Sequence, residues 1–106
     1  MIVIKIMNEF LHSPLWTYED DFITDDYPII TDDTILQDIS RQIEERYSSY
    51  YEFDSHEQAC WFNQDKEKAD KELMLGLISK LVSRLNEIND GSYVVEDLET
   101  GRLSTL

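Results

Sequence analysis

Carboxylates dominate the first third of this chain. Between Lys5 and Arg41 there are nine (Glu9, Glu19, Asp20, Asp21, Asp25, Asp26, Asp32, Asp33 and Asp38) and no Lys or Arg. The adjacent pairs Asp20/Asp21, Asp25/Asp26 and Asp32/Asp33 carry groups suited to acid–base work or to holding a divalent cation. Neighbouring acids seldom point at one atom, however. A calcium loop of the EF-hand type also needs a glycine at its sharp turn, and the first glycine of this chain is Gly76. No metal and no cofactor is expected.

His56 and Cys60 form the second arrangement of reactive type. They lie four apart on a stretch with helical spacing, hence on one face. A nucleophile–base pair would further need an orienting group and an oxyanion hole, which this glycine-poor sequence does not offer. Two ligands are too few for structural zinc. A buried structural cysteine beside a helix-start histidine is the expectation, and no catalytic residue is assigned. Glycines only at Gly76, Gly91 and Gly101 exclude a phosphate-binding loop.

What the acidic stretch does offer is aromatic anchors. Trp16, Tyr18, Phe22 and Tyr27 run through it, whereas a solvated acidic tail would be poor in such residues. Trp16, Tyr18, Glu19, Asp20, Asp21, Asp25, Asp26 and Tyr27 are therefore the candidate partner-binding residues, because aromatic rings dominate interface hot spots. Tyr51 and Asp54 repeat the pattern further on, with Tyr51 expected to be exposed and Phe53 to act as a hydrophobic staple. Trp16 and Tyr18 alternate with Leu15 and Thr17 and so share one strand face, which could be core or surface.

The whole chain points the same way. Its 23 acids against 9 bases give a net charge of −14. That charge repels nucleic acid and anionic membranes and attracts a cationic protein, accelerating association by roughly 10–10³-fold. It also favours a monomer before binding. One cysteine excludes an internal disulfide, which suits a reducing cytoplasm. The opening MIVIKIM lacks the basic region and cleavage site of a signal peptide. No apolar run approaches the roughly 18 residues of a membrane span.

A single domain over residues 1–106 must position these groups. Ile2–Met7 is apolar on both faces and is expected centrally in a sheet. Leu15–Tyr18 and Phe22–Thr24 read as short strands joined by an acidic turn. Tyr27–Ile30 is expected to be extended, because Pro28 disfavours a helical Tyr27. A helix opening at Thr31–Asp33 would run to about Tyr51, with Ile35, Ile39, Ile43, Tyr47 and Tyr50 on its inner face. The capping pattern Ser55–Gln58 predicts a second, long or split helix. Its inner face would carry Ala59, Phe62, Ala69, Leu73, Leu77, Leu81, Leu85 and Ile88, and Asn89-Asp90-Gly91 would end it. Lys66, Lys68 and Lys71 would pair with the acids around them along that helix. Tyr93–Leu98 is a last strand, and the tail from Arg102 is expected to fray. The order βββααβ predicts an α+β domain: a small, mainly antiparallel sheet with two or three helices on one face.

Ile2–Met7, Pro14–Trp16, Tyr27–Ile30, Cys60–Asn63 and Arg84–Asp97 carry a likeness that spans most of the chain. In these segments the sequence resembles the small acidic immunity proteins encoded with contact-dependent growth inhibition toxins. The resemblance implies a protein that binds the toxin domain of its own system. Such toxins are often nucleases with basic clefts, and the inhibitor occludes the active site or substrate cleft with carboxylates. No residue set carries over position by position. The expected partner is thus a basic toxin domain, an RNase first among nucleases. The alternatives are a DNA mimic or acidic adaptor acting on a basic host protein, and a small carboxylate or Cys–His enzyme.

Overall fold

The computed structural model describes residues 1–53 and 60–106, with the Phe53 side chain left out. The expectations placed on Asp54, the Ser55–Gln58 capping pattern, His56, Ala59 and the Phe53 staple lie outside what is described. The chain is mixed α and β. Strand β1 (Ile2–Ile6) lies between β2 (Leu15–Glu19) and β6 (Tyr93–Asp97), and β3 (Phe22–Ile23) forms the far edge. Pairing is antiparallel along β1–β2–β3 and parallel between β1 and β6. The central placement of the first strand follows from its apolar faces: Ile4 and Ile6 are fully buried.

Helix α2 (Thr34–Ser48) packs against α4 (Lys71–Glu87), and both pack on the Ile4/Ile6 face of the sheet. Leu36 and Ile43 of α2 meet Met74, Ile78, Leu81 and Leu85 of α4 in one core. The expected faces hold at Ile43, Tyr50, Leu77, Leu81 and Leu85, which are buried, and shift by one position at the start of each helix. Ile35 and Leu73 are exposed, while Leu36 and Met74 are buried. Each residue of a helix turns about 100°, so Ile35 and Leu73 sit at the edge of stripes centred one residue later.

Three further expectations are corrected, and the long or split helix is split. Pro28–Thr31 is a short helix, α1, and only its N-cap Tyr27 is extended; proline is favoured at a first helical position, where its missing N–H goes unneeded. Cys60–Phe62 is a strand, β5, paired antiparallel with β4 (Tyr51–Phe53). Aromatic residues suit a strand, and Asn63 then caps α3 (Gln64–Ala69) through Lys66 N–H at 3.1 Å. α3 ends at Asp70, which divides it from α4. The tail does not fray. It forms α5 (Thr100–Ser104), whose Leu103 is fully buried. The order is therefore longer than βββααβ, with the β4–β5 hairpin and α5 added.

Lys66 and Lys71 bind backbone carbonyls rather than the carboxylates around them. Lys66 Nζ donates to Ser49 O at 2.8 Å, and Lys71 Nζ to Ser104 O and Leu106 O at 3.3 Å. No described helix is long and apolar enough to cross a membrane.

Candidate protein-docking surface

The acidic stretch becomes a hairpin. β2 and β3 pair Glu19 with Phe22 and Tyr18 with Ile23, and Thr24 N–H adds a bond to Thr17 O at 2.9 Å. Asp20 and Asp21 make the turn with φ of 50° and 71°. Positive φ at both central residues is the type I′ arrangement that matches strand twist, normally filled by Asn-Gly. Two aspartates fill it here at a cost on the order of 1 kcal/mol each.

Register decides which way the anchors face. Ile4, Thr17 and Val95 are neighbours across the sheet and point at the helices. Trp16, Tyr18 and Ile23 therefore share the opposite face with Val3, Lys5, Val94 and Glu96. None of these belongs to the helix-packed core among the described residues. The face carries one base, and Lys5 Nζ already lies 4.7 Å from the centre of the Tyr18 ring.

Trp16 is held in place at the end of this face. Its indole N–H donates to Met7 O at 3.0 Å, and His12 stacks on it with ring centres 3.9 Å apart. At the tip, Phe22 is 76% and Ile23 56% exposed. Phe22 is one of the aromatic anchors in the sequence, but neither residue is among the candidate partner-binding residues. A two-residue turn that leaves β3 as a short edge strand was the signal that could have found them.

Two groups of carboxylates stand out. Seven of them (Asp33, Asp38, Glu45, Glu67, Asp70, Glu87 and Glu99) pair with the four arginines. Glu19, Asp21, Asp25 and Asp26 are exposed and have no cationic partner among the described residues. Asp20 reaches only the exposed Met1 amino group, at 3.5 Å, a contact of little energetic weight. Five of the N-terminal carboxylates without an arginine partner thus lie around Phe22 and Ile23, with Glu9 and Asp32 outside the hairpin.

Two expected site residues lie elsewhere or are engaged. Tyr27 caps α1, hydrogen-bonds Ser92 Oγ through its hydroxyl and meets Tyr93 edge-on. It ties the hairpin exit to the start of β6. Tyr51 is half-buried rather than exposed, in a ring cluster with Phe10, Tyr47 and Phe62 on the β4–β5 side. Burial and the shared hydrogen bond with Tyr51 push the Tyr47 hydroxyl above its ordinary range.

Nearby, Tyr50 donates to Asp70 Oδ2 at 2.5 Å, and Arg46 bonds both Asp70 oxygens. Burial and this bond push the Tyr50 phenol upward, away from any role as a base near neutral pH. Cys60 is exposed, not buried as expected: β5 presents it to solvent because it belongs to a two-stranded sheet and not to a core helix. No group of three or more potential metal-ligating side chains occurs among the described residues.

The arrangement suits recognition more than bond-making. Exposed carboxylates surround exposed apolar side chains on a rigid two-residue turn, next to an aromatic sheet face. Compared with known proteins, the chain matches no family model, no curated protein and no solved structure.

Proposed function

We propose that this chain is an immunity-type inhibitor that binds a basic nuclease toxin domain, first of all an RNase, and blocks its active site or substrate cleft. The observation that carries the reading is the hairpin tip. Asp20, Asp21, Asp25 and Asp26 flank Phe22 and Ile23, two adjacent apolar residues that are both exposed. Unpaired carboxylates would take the place of substrate phosphates on cationic groups. Phe22, Ile23, Trp16 and Tyr18 would supply the desolvated contact that gives such an interface lasting affinity. Action in the cytoplasm as a monomer before binding, without catalysis of its own, belongs to the same proposal.

Co-expression with the basic toxin domain of the same system tests it. Protection of the cell and a 1:1 complex are expected. Protection must be lost when Asp20, Asp21, Asp25 and Asp26 are reversed to lysine. Full protection by that variant would rule out docking through this hairpin.

The overall extents, 48 × 26 × 24 Å, give the DNA-mimic alternative some footing. A duplex of that length carries ~28 phosphates at one per about 1.7 Å. Arginine pairing withdraws seven of the chain's 23 carboxylates from such a display. Those left on the hairpin cluster at one tip and not along an axis. Displacement of duplex DNA from a host DNA-binding protein would favour the mimic. Inhibition of a nuclease that leaves such a protein untouched favours the inhibitor.

A further inference from the structure

Where β2 begins and the chain runs from β3 into α1 lies a hollow of about 220 Å³. His12, Trp16, Ile23, Asp25, Tyr27 and Gln37 line it. That volume falls below the roughly 300–1,000 Å³ of small-molecule sites, and is suited to one side chain.

The Trp16 indole N–H is engaged with Met7 O. Gln37 Nε2 donates to Ile30 O at 2.9 Å, and the Thr31 hydroxyl to Tyr27 O at 3.3 Å. His12 Nδ1 lies 2.5 Å from Ser13 O, an atom that can only accept, so the ring hydrogen sits on Nδ1. In the neutral ring Nε2 is then left as an acceptor. The Asp25 carboxylate, Gln37 Oε1 and His12 Nε2 are acceptors without a hydrogen-bond partner among the described residues, while the Ser13, Thr17 and Thr24 hydroxyls donate to none of them. Asp25 is the one carboxylate that lines the hollow, beside an indole wall.

A ligand that fits must donate, carry positive charge and tolerate an aromatic surface. A guanidinium has five donors, no acceptor, and a plane that stacks on rings. We infer that this hollow receives an arginine side chain of a protein partner, with Asp25 as its counter-ion and Trp16 as its wall. The inference rests on the reading that this surface meets a basic protein, and it adds where one residue of that partner is held.

The test uses the whole ¹⁵N-labelled chain and two peptides, acetyl-Gly-Arg-Gly-amide and its neutral citrulline counterpart. The arginine peptide should shift the Trp16 indole N–H and the amides of Asp25 and Gln37 in a saturable way. The Trp61 indole, exposed on the β4–β5 sheet, should stay fixed. Citrulline, or the variant Asp25→Asn, should bind about tenfold more weakly, the loss of one charge-assisted contact. Asp25 has no hydrogen-bond or ionic partner among the described residues, so that variant is expected to keep the structure. Equal binding of the two peptides, no saturation, or shifts confined to other surfaces would overturn the inference. Because the probe is a peptide, the two ideas separate. Toxin binding without peptide binding removes only the arginine pocket, and peptide binding without any toxin partner removes only the inhibitor reading.

Discussion

Asp33 and Arg84, 51 residues apart, form a two-pronged pair, with Oδ2 2.7 Å from Nη2 and Oδ1 3.2 Å from Nε. The same Oδ1 accepts Leu36 N–H at 2.8 Å, so one carboxylate starts α2 and ties it to the end of α4. Asp33→Ala removes both functions, and the cap alone is worth about 1–2 kcal/mol. Asp33→Asn keeps a capping oxygen and loses the charge. Urea unfolding should rank wild type above Asn above Ala. Equal midpoints for Asn and Ala would show that the cap adds nothing here.

The same pair sets a pH dependence. The hydrogen bond from Arg84, followed in effect by the Leu36 N–H, holds the Asp33 carboxyl below its ordinary value of 3.8 against the opposing effect of burial. A group whose folded pKa is depressed stabilises the fold above its unfolded pKa and loses that contribution as pH falls through the folded value. Total stability is a poor readout, because protonating many other acids also relieves repulsion in this chain. The difference between wild type and Asp33→Asn isolates the effect. It should be constant from pH 7 to 5 and shrink below about pH 4.

Arg102 and Glu67 support a second prediction about the fold. Glu67 is 2% exposed and receives both Arg102 Nη atoms, at 2.8 and 3.2 Å. Arg102 also bonds Glu99, whose other oxygen accepts Asn8 N–H. Arg102→Met leaves a buried carboxylate uncompensated and should cost about 2–3 kcal/mol, at the low end for buried pairs because Arg102 is itself 40% exposed. Replacing both by methionine should restore much of that loss. A double variant as unstable as the single one would show that Glu67 is not the source of the penalty.

The central strand, the acidic turn and the Asp33 helix start were all legible, because each is set by local rules of alternation, turn chemistry and capping. The β5 strand was not, since Cys60–Phe62 is decided by pairing with Tyr51–Phe53. Nor was the ordered tail, since Leu103 is held by burial against distant elements. At the site, alternation could say that Trp16 and Tyr18 share a face but not which face. The neighbours Ile4 and Val95 of Thr17 decide that, and they come from strands far away in sequence.

Charge on the hairpin should act mainly on the rate of encounter. Neutralising Asp20, Asp21, Asp25 and Asp26 to Asn should slow association with a basic partner by roughly 10–100-fold in low salt. The difference should fade as the screening length falls towards about 3 Å at 1 M salt. Stopped-flow association at two ionic strengths measures this. A slowing of the same size at both would mean that the residues act through specific contacts and not through steering.

Asp20 and Asp21 set stability against binding. Both hold positive φ, at 50° and 71°, which their Cβ atoms disfavour. Asp20→Asn with Asp21→Gly gives the turn its preferred pair and should stabilise the domain by about 1 kcal/mol. It also removes two carboxylates from the tip that carries Phe22 and Ile23. A more stable protein that binds its basic partner more weakly is the expected outcome, seen as a higher unfolding midpoint together with faster dissociation or slower association. If the variant were stabilised with unchanged binding, the aspartates would serve neither the fold nor the partner at this turn. If it were destabilised, the turn would depend on contacts of these carboxylates that outweigh the backbone strain.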